Sequence, residues 1–452
     1  MEIKENKMGT MPVGKLLVSM SIPMMFSMLI QALYNIVDSI FISRVSEAAL
    51  TAVSLAFPLQ TLMIAFAVGT SVGINSLLAR RLGEKRPEEA EKVAGNGLVL
   101  MLFTYMVFAI IGITLTNTFM KMFTDDPDLI KMGDQYLGIC MTFSFGIFFS
   151  VGCEKIIQGT GETMISMMIQ LVGAVVNIIL DPIMIFGLLG CPALGVRGAA
   201  IATVIGQIAS MIFGMIMVRR NKFVKVRFLK ARFSRSITRE TYRVGLPSIV
   251  MQAIGTVMTS AMNMILISFT PTATTVFGAY FKLQSFVFMP IFGLNSGLIP
   301  IVGYNFGARR FDRIRQVAKI GIIIATTVMA VGFLLFQLLP VQLLSLFNAS
   351  ENMTAIGIKA FRTISWSFLL AGTGIMLSGV FQGVGDGIYS MFVSITRQLV
   401  FLIPSAWLLG RIFGLDYVWY SFIISEAFSA TLSILFYRRE NRKFKALEGK
   451  TA

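Results

Sequence analysis

The chain has 452 residues and a formal net charge of +16, with 55% hydrophobic and only 14% charged residues. With a mean hydropathy of +0.77, it carries too few charges to cover a water-soluble surface and reads as an integral membrane protein. It has no histidine, which excludes imidazole relays, histidine metal sites and Ser-His or Cys-His triads, and its three cysteines (Cys140, Cys153, Cys191) form no CxxC pair.

Apolar runs near the roughly 20 residues that a bilayer requires predict twelve helices. They lie at roughly 14–42, 50–79, 93–120, 134–158, 163–189, 196–218, 241–268, 275–304, 317–346, 357–382, 388–413 and 415–437. The first has no small-residue cleavage site and is read as a retained span. It holds Pro23, which can kink it, and Asp38 in the stretch Tyr34-Asn35-Ile36-Val37-Asp38. Span 2 holds Gln60, a packing hydrogen bond or a cavity ligand. At the end of span 4, Glu154-Lys155 is expected to snorkel toward the cytoplasm. Span 5 places Asn177 and Asp181 four residues apart on one helix face, with Pro182 freeing a carbonyl one turn back. Thr203 in span 6 adds a hydroxyl. Carboxylates deep in spans are functional candidates. Asp38, Asn177, Asp181 and Thr203 can bind a hard cation such as sodium, or the two carboxylates can share a proton. The bland alternative is that they cap or pair structurally.

The second half offers a different set. Pro247 in span 7 is a second kink candidate. Span 8 carries Lys282 and Gln284, and span 12 carries Glu426. Lys282 either neutralises an anionic group in a cavity or pairs with Glu426. Arg397 in span 11 is expected to snorkel. Gln60, Lys282, Gln284 and Glu426 are thus the substrate-cavity candidates. The 30 Met and 38 Phe residues permit a soft cavity for varied apolar substrates.

Lys and Arg cluster in alternate loops: between spans 2 and 3, between spans 6 and 7, between spans 8 and 9, and in the tail. The positive-inside rule then puts both termini in the cytoplasm and explains the net charge without nucleic acid. The stretch Arg219–Arg235, interleaved with Phe223, Phe228 and Phe233, suits an anionic inner leaflet.

The chain also repeats itself at an offset of 224: Pro23 meets Pro247 (247 − 23 = 224), Gly69 and Gly73 meet Gly293 and Gly297, and Gln158-Gly159-Thr160-Gly161 meets Gln382-Gly383-Val384-Gly385. Each copy holds six spans, so the halves share one orientation and are expected to be related by a pseudo-twofold along the membrane normal. Asp38 maps to Met262 and Asp181 to Ser405, which confines the acidic site to the first half. No GxxxxGK[ST] loop is present, so ATP does not drive the protein directly, and the two Gly-x-Gly segments read as helix turns.

Asp38, the stretch Asn177-Ile178-Ile179-Leu180-Asp181-Pro182, Gly195-Val196-Arg197-Gly198-Ala199-Ala200 and Pro300-Ile301-Val302-Gly303-Tyr304-Asn305-Phe306-Gly307-Ala308 together resemble the multidrug and toxic compound extrusion (MATE) family, MepA-type bacterial branch. The resemblance implies a non-enzymatic antiporter that exports amphipathic, often cationic drugs in exchange for protons or sodium. It places the cation site on Asp38, Asn177, Asp181 and Thr203, and a bend at Pro23. Asn263 and Lys282 stand where some relatives carry second-half acids. The expected architecture is all-α, twelve transmembrane helices in two six-helix bundles: 1–218, a basic linker 219–240, 241–437 and a basic tail 438–452. The protein is expected to be a monomer in a bacterial inner membrane, in contact with lipid and small-molecule drugs, with no cofactor beyond the coupling ion. A flippase for an anionic lipid-linked sugar is the alternative; it requires several basic residues in the cavity.

Overall fold

The computed structural model describes residues 6–226, 233–347 and 349–449. Residues 227–232 of the expected linker, Phe228 among them, and the tail from Lys450 lie outside the described residues. Among the described residues there is no strand. We number the helices of nine residues or more. In the first half these are α1 (Val13–Ser43), α2 (Glu47–Gly83), α3 (Pro87–Thr114), α4 (Pro127–Thr142), α5 (Phe145–Gly159), α6 (Thr163–Phe186) and α7 (Val196–Arg220). The second half has α8 (Arg235–Ile267), α9 (Pro271–Gly307), α10 (Phe311–Leu338), α11 (Glu351–Ser365), α12 (Phe368–Val384), α13 (Gly387–Ile395), α14 (Ile403–Phe413) and α15 (Tyr420–Glu448).

Among the described residues ten helical segments are long and apolar enough to cross a membrane, and with each of two bent pairs taken as one span the total is twelve: α4 with α5, bent by 47°, and α11 with α12, bent by 49°. The expected straight spans 134–158 and 357–382 are therefore each broken. The cause is local. Ser144 N–H reaches Met141 O at 3.2 Å and Ser367 N–H reaches Ile364 O at 2.9 Å, so a tighter three-residue step replaces the α-helical register at each break. A π-turn at Thr396–Leu402 joins α13 to α14 within one span. The last helix runs to Glu448 rather than ending near 437. Its extension is held by Arg315, which donates through both terminal nitrogens to the Glu448 carboxylate at 3.0 and 2.8 Å and through Nε to Asn441 Oδ1 at 2.7 Å. Phe444, fully buried, stacks on Phe311 there.

The internal repeat is visible in backbone detail. Gly161 and Gly385 adopt left-handed φ of 92° and 95°, and so do the repeat-mates Lys85 and Arg309 (309 − 85 = 224), at 59° and 56°. Both Gly-x-Gly segments are thus turns, as expected.

By packing, the chain forms two units. The first is Met1–Thr10 with Phe26–Ile249, the second Met11–Met25 with Val250–Ala452. The expected boundary at 219–240 falls inside the first unit, and the chain passes between units within α1 and α8. Glycines explain this. In the first unit Gly69 and Gly73 of α2 press directly on Ile249 and the Thr241 carbonyl of α8, where any Cβ would collide. In the second unit the repeat-mates Gly293 and Gly297 of α9 press in the same way on Met25 and Ser21 of α1. Each half's glycine-bearing helix therefore grips the leading part of the other half's first helix.

Candidate cation site

The site is assembled inside the first unit where α6 and α7 run against each other. α6 ends at Gly187, whose left-handed φ of 76° stops the helix. The connection folds straight back, since Leu194 N–H and Gly195 N–H reach Met184 O and Ile185 O at 3.0 and 3.2 Å. Gly195, with φ 55°, then starts α7. Gly198 lies against the Met184 carbonyl with no space for a side chain, and a Cβ on Gly206 would stand 2.7 Å from Gly173 O and 3.0 Å from Asn177 Cβ. Gly198 of the Gly-Val-Arg-Gly-Ala-Ala stretch, with Gly206 and Gly173, thus lets α7 approach α6 closely enough for their polar side chains to meet.

They do meet. Asn177 Nδ2 donates to Asp181 Oδ1 at 3.2 Å and to Thr203 Oγ1 at 3.3 Å. Asp181 is fully buried and Asn177 and Thr203 nearly so. Asp38 enters from α1, and its carboxyl group lies close enough to that of Asp181 for the two charges to interact. Three acceptor oxygens here are buried without a hydrogen-bond partner: Asp38 Oδ1, Asn177 Oδ1 and Asp181 Oδ2. Two carboxylates this close repel unless something positive lies between them, and orphaned buried acceptors are costly. The arrangement can accept a proton or coordinate a small hard cation through oxygen.

Sequence reasoning missed the surrounding phenols. Tyr34, one turn before Asp38 on α1, lies near Thr203 and the two carboxyl groups, and Tyr136 on α4 lies near Asp38 and Gln60. Gln60 therefore belongs to this polar shell. The signal available was the four-residue spacing of Tyr34 and Asp38, which puts both on one helix face.

Other expected placements change. Glu154 and Lys155 do not snorkel. Both are buried and pair at 3.1 Å, and Lys155 Nζ also donates to Gln158 Oε1 at 2.7 Å. Lys282 does not pair with Glu426; its side chain is exposed. The partner of Glu426 is Arg397, at 3.2 Å, which reaches it from the π-turn instead of snorkelling. Gln284 is half-buried, and Pro23 and Pro247 are buried within α1 and α8.

With this geometry in place, the comparison with known families is decisive. The MatE family model matches residues 23–183 and again residues 247–408. The chain belongs to the MatE family. The two matches begin 224 residues apart (247 − 23), the offset of the internal repeat. Among relatives similar to this MatE chain is the multidrug export protein MepA of Staphylococcus haemolyticus, strain JCSC1435. It is 27% identical over 432 residues that cover 95% of this chain and 94% of that protein. The probable multidrug resistance protein YoeA of Bacillus subtilis, strain 168, is 27% identical over 428 residues, covering 92% and 91%. A solved structure of the outward-facing conformation of a multidrug resistance MATE family transporter of the MOP superfamily matches with a TM-score of 0.92 at 28% identity, covering 98% of this chain and 99% of that one. The MepA-type resemblance and the all-α multi-pass membrane architecture read from the sequence are both met.

Proposed function

We infer that this MatE protein is a secondary exporter that exchanges a cation, proton or sodium, for amphipathic organic compounds. The observation that carries the reading is the surplus of buried acceptor oxygens on Asp38, Asn177 and Asp181 with a single amide donor among them. One cation between the carboxylates cancels their repulsion, and its departure restores it, so ion occupancy biases how α1 packs against α6. Exchange follows if ion and drug prefer different arrangements. Pro23 and Pro247 are the proposed bending points. Each stands two residues before its helix passes from one unit to the other, at Met25 and Ile249. The names of the relatives, multidrug export and multidrug resistance proteins, support drugs as the exported class. The loop charges support a cell-membrane location with cytoplasmic termini.

The lipid-flippase alternative has less support. It requires several basic residues around one anionic headgroup, whereas the deep spans of the second half offer only Arg397, with the carboxylate of Glu426 beside it, and Lys282.

The test is ethidium efflux by the purified protein in liposomes, with a proton or a sodium gradient imposed in turn. One gradient is expected to drive accumulation against the dye gradient at least several-fold over a collapsed-gradient control, which names the ion. Equal, downhill-only movement under all conditions would point to a channel and overturn the reading.

A further inference from the structure

The second unit holds a charge pair that the cation site does not use. Arg397 stands on the π-turn of its span, a helix irregularity that recurs at functional sites. Its Nη1 donates to Glu426 Oε2 at 3.2 Å. The Glu426 side chain is only 9% exposed, that of Arg397 32%. A guanidinium has five N–H donors, and among the described residues Glu426 is the only hydrogen-bond or ion-pair partner Arg397 has. Its remaining donors are therefore free to receive an acceptor, well inside a membrane span, where an unsatisfied charge is costly.

The surroundings suit an aromatic amphiphile. Phe422 stands one turn before Glu426 and lies 6.1 Å from Phe277 and 5.9 Å from Tyr280, while Phe277 and Phe281 meet edge-on at 4.9 Å. Phe277, which meets Phe422, also lines with Phe281 an open cleft of about 570 Å3 that has Thr259 and Asn263 on its α8 side. Gly374 on α12 faces Glu426 and Ser429, whose Oε1 and Oγ lie 3.7 and 3.6 Å from where a Cβ would stand. The first half has nothing comparable. The repeat-mate of Arg397 is Gly173 (397 − 224), which packs closely on Ser210 and Gly206; in the last span the offset falls to 219, where Arg438-Arg439 matches Arg219-Arg220 (438 − 219), and the repeat-mate of Glu426 is Gln207 (426 − 219). The pair is thus an addition peculiar to the second copy and not a requirement of the shared helix packing.

We propose that Arg397 and Glu426, together with the Phe277–Phe281 cleft, form a subsite for zwitterionic amphiphiles: the substrate carboxylate takes the free fork of Arg397, its cationic nitrogen lies beside Glu426, and its ring system fills the cleft. The assignment rests on the export reading and names a substrate class within it. Guanidinium–carboxylate pairing is bidentate and charge-assisted, which makes it selective for a free carboxylate over its ester.

The test uses two dyes that differ in one group, rhodamine B with its free carboxylate and rhodamine B ethyl ester. Binding of each to the detergent-purified full-length protein is measured by fluorescence anisotropy. Arg397→Gln is expected to weaken rhodamine B binding about tenfold, the loss of one charge-assisted contact, and to leave the ester within about twofold. Glu426→Gln weakens both dyes, since both carry the cationic nitrogen. An equal change in both dyes with Arg397→Gln, or a change in neither, overturns the subsite and returns the pair to helix packing. If Arg397→Gln fails to fold, Arg397→Lys keeps a charge beside Glu426 without the fork; a fall of about threefold in the acid-to-ester preference supports the proposal and an unchanged preference refutes it. The readout is binding, so absent gradient-driven efflux with the preference intact counts against export and not against the subsite.

Discussion

Replacing Asp181 by Asn, or Asp38 by Asn, is expected to reduce gradient-driven ethidium efflux to background, a loss on the order of a hundredfold, or roughly 3 kcal/mol of ion binding. The substitution barely changes shape. In Asp181→Asn the amide still accepts from Asn177 and now donates to Asp38, which satisfies the contact that the carboxylates leave open. The variant therefore imitates the ion-loaded site permanently and should fold at least as well as the parent, with one arrangement of α1 favoured and no cycle. If the two aspartates only tied helices together, the amide would do that equally well and efflux would persist. Efflux rates beside thermal unfolding of the same preparations separate these cases: efflux near the parent rate in either variant contradicts the ion-site assignment.

The second large effect is on stability. Lys155→Met leaves the buried Glu154 carboxylate without its counter-charge and is expected to cost about 3–5 kcal/mol. The two side chains are 8% and 10% exposed, and their backbone is fixed by Asn75 Nδ2 on the Lys155 carbonyl at 3.2 Å and by Ser166 Oγ on the Glu154 carbonyl at 2.9 Å. These bonds fix the backbone that carries both charged side chains. The double variant Glu154→Gln with Lys155→Met removes both charges and should recover most of the loss, because desolvating the pair offsets much of its attraction. Thermal unfolding in detergent compares the single variant, the double variant and the parent. A single variant as stable as the parent would show that water reaches Glu154.

Most of the architecture was legible because membrane helices are written in long apolar runs and because the chain states its plan twice. The offset of 224 anticipated the paired turns at Gly161 and Gly385 and the glycines of α2 and α9. What those glycines touch was not legible. A glycine announces close approach but not its partner, and the partner is the leading part of the other half's first helix. Asp38, Asn177, Asp181 and Thr203 converge because helix periodicity fixes the face on which each lies. The ion pairs were read wrongly for a common reason. Lys and Arg span several ångströms, so their partners depend on helix rotation and on local breaks in register. Arg397 reaches Glu426 from a π-turn that the apolar pattern does not announce, and Lys155 turns inward to Glu154 and Gln158 where snorkelling was expected. The bends at 143–144 and 366–367 carry no proline or glycine and left no mark in the apolar pattern.

The central claim is that ion and substrate compete through Asp38 and Asp181. The most direct measurement is ion release on substrate binding: rhodamine B ethyl ester is added to the purified protein in weak buffer containing sodium, with a pH indicator and a sodium-selective electrode reading the solution. Release of up to about one proton or one sodium ion per dye bound, absent in Asp181→Asn, is the predicted result. Stoichiometric dye binding with neither ion released would contradict exchange through this site.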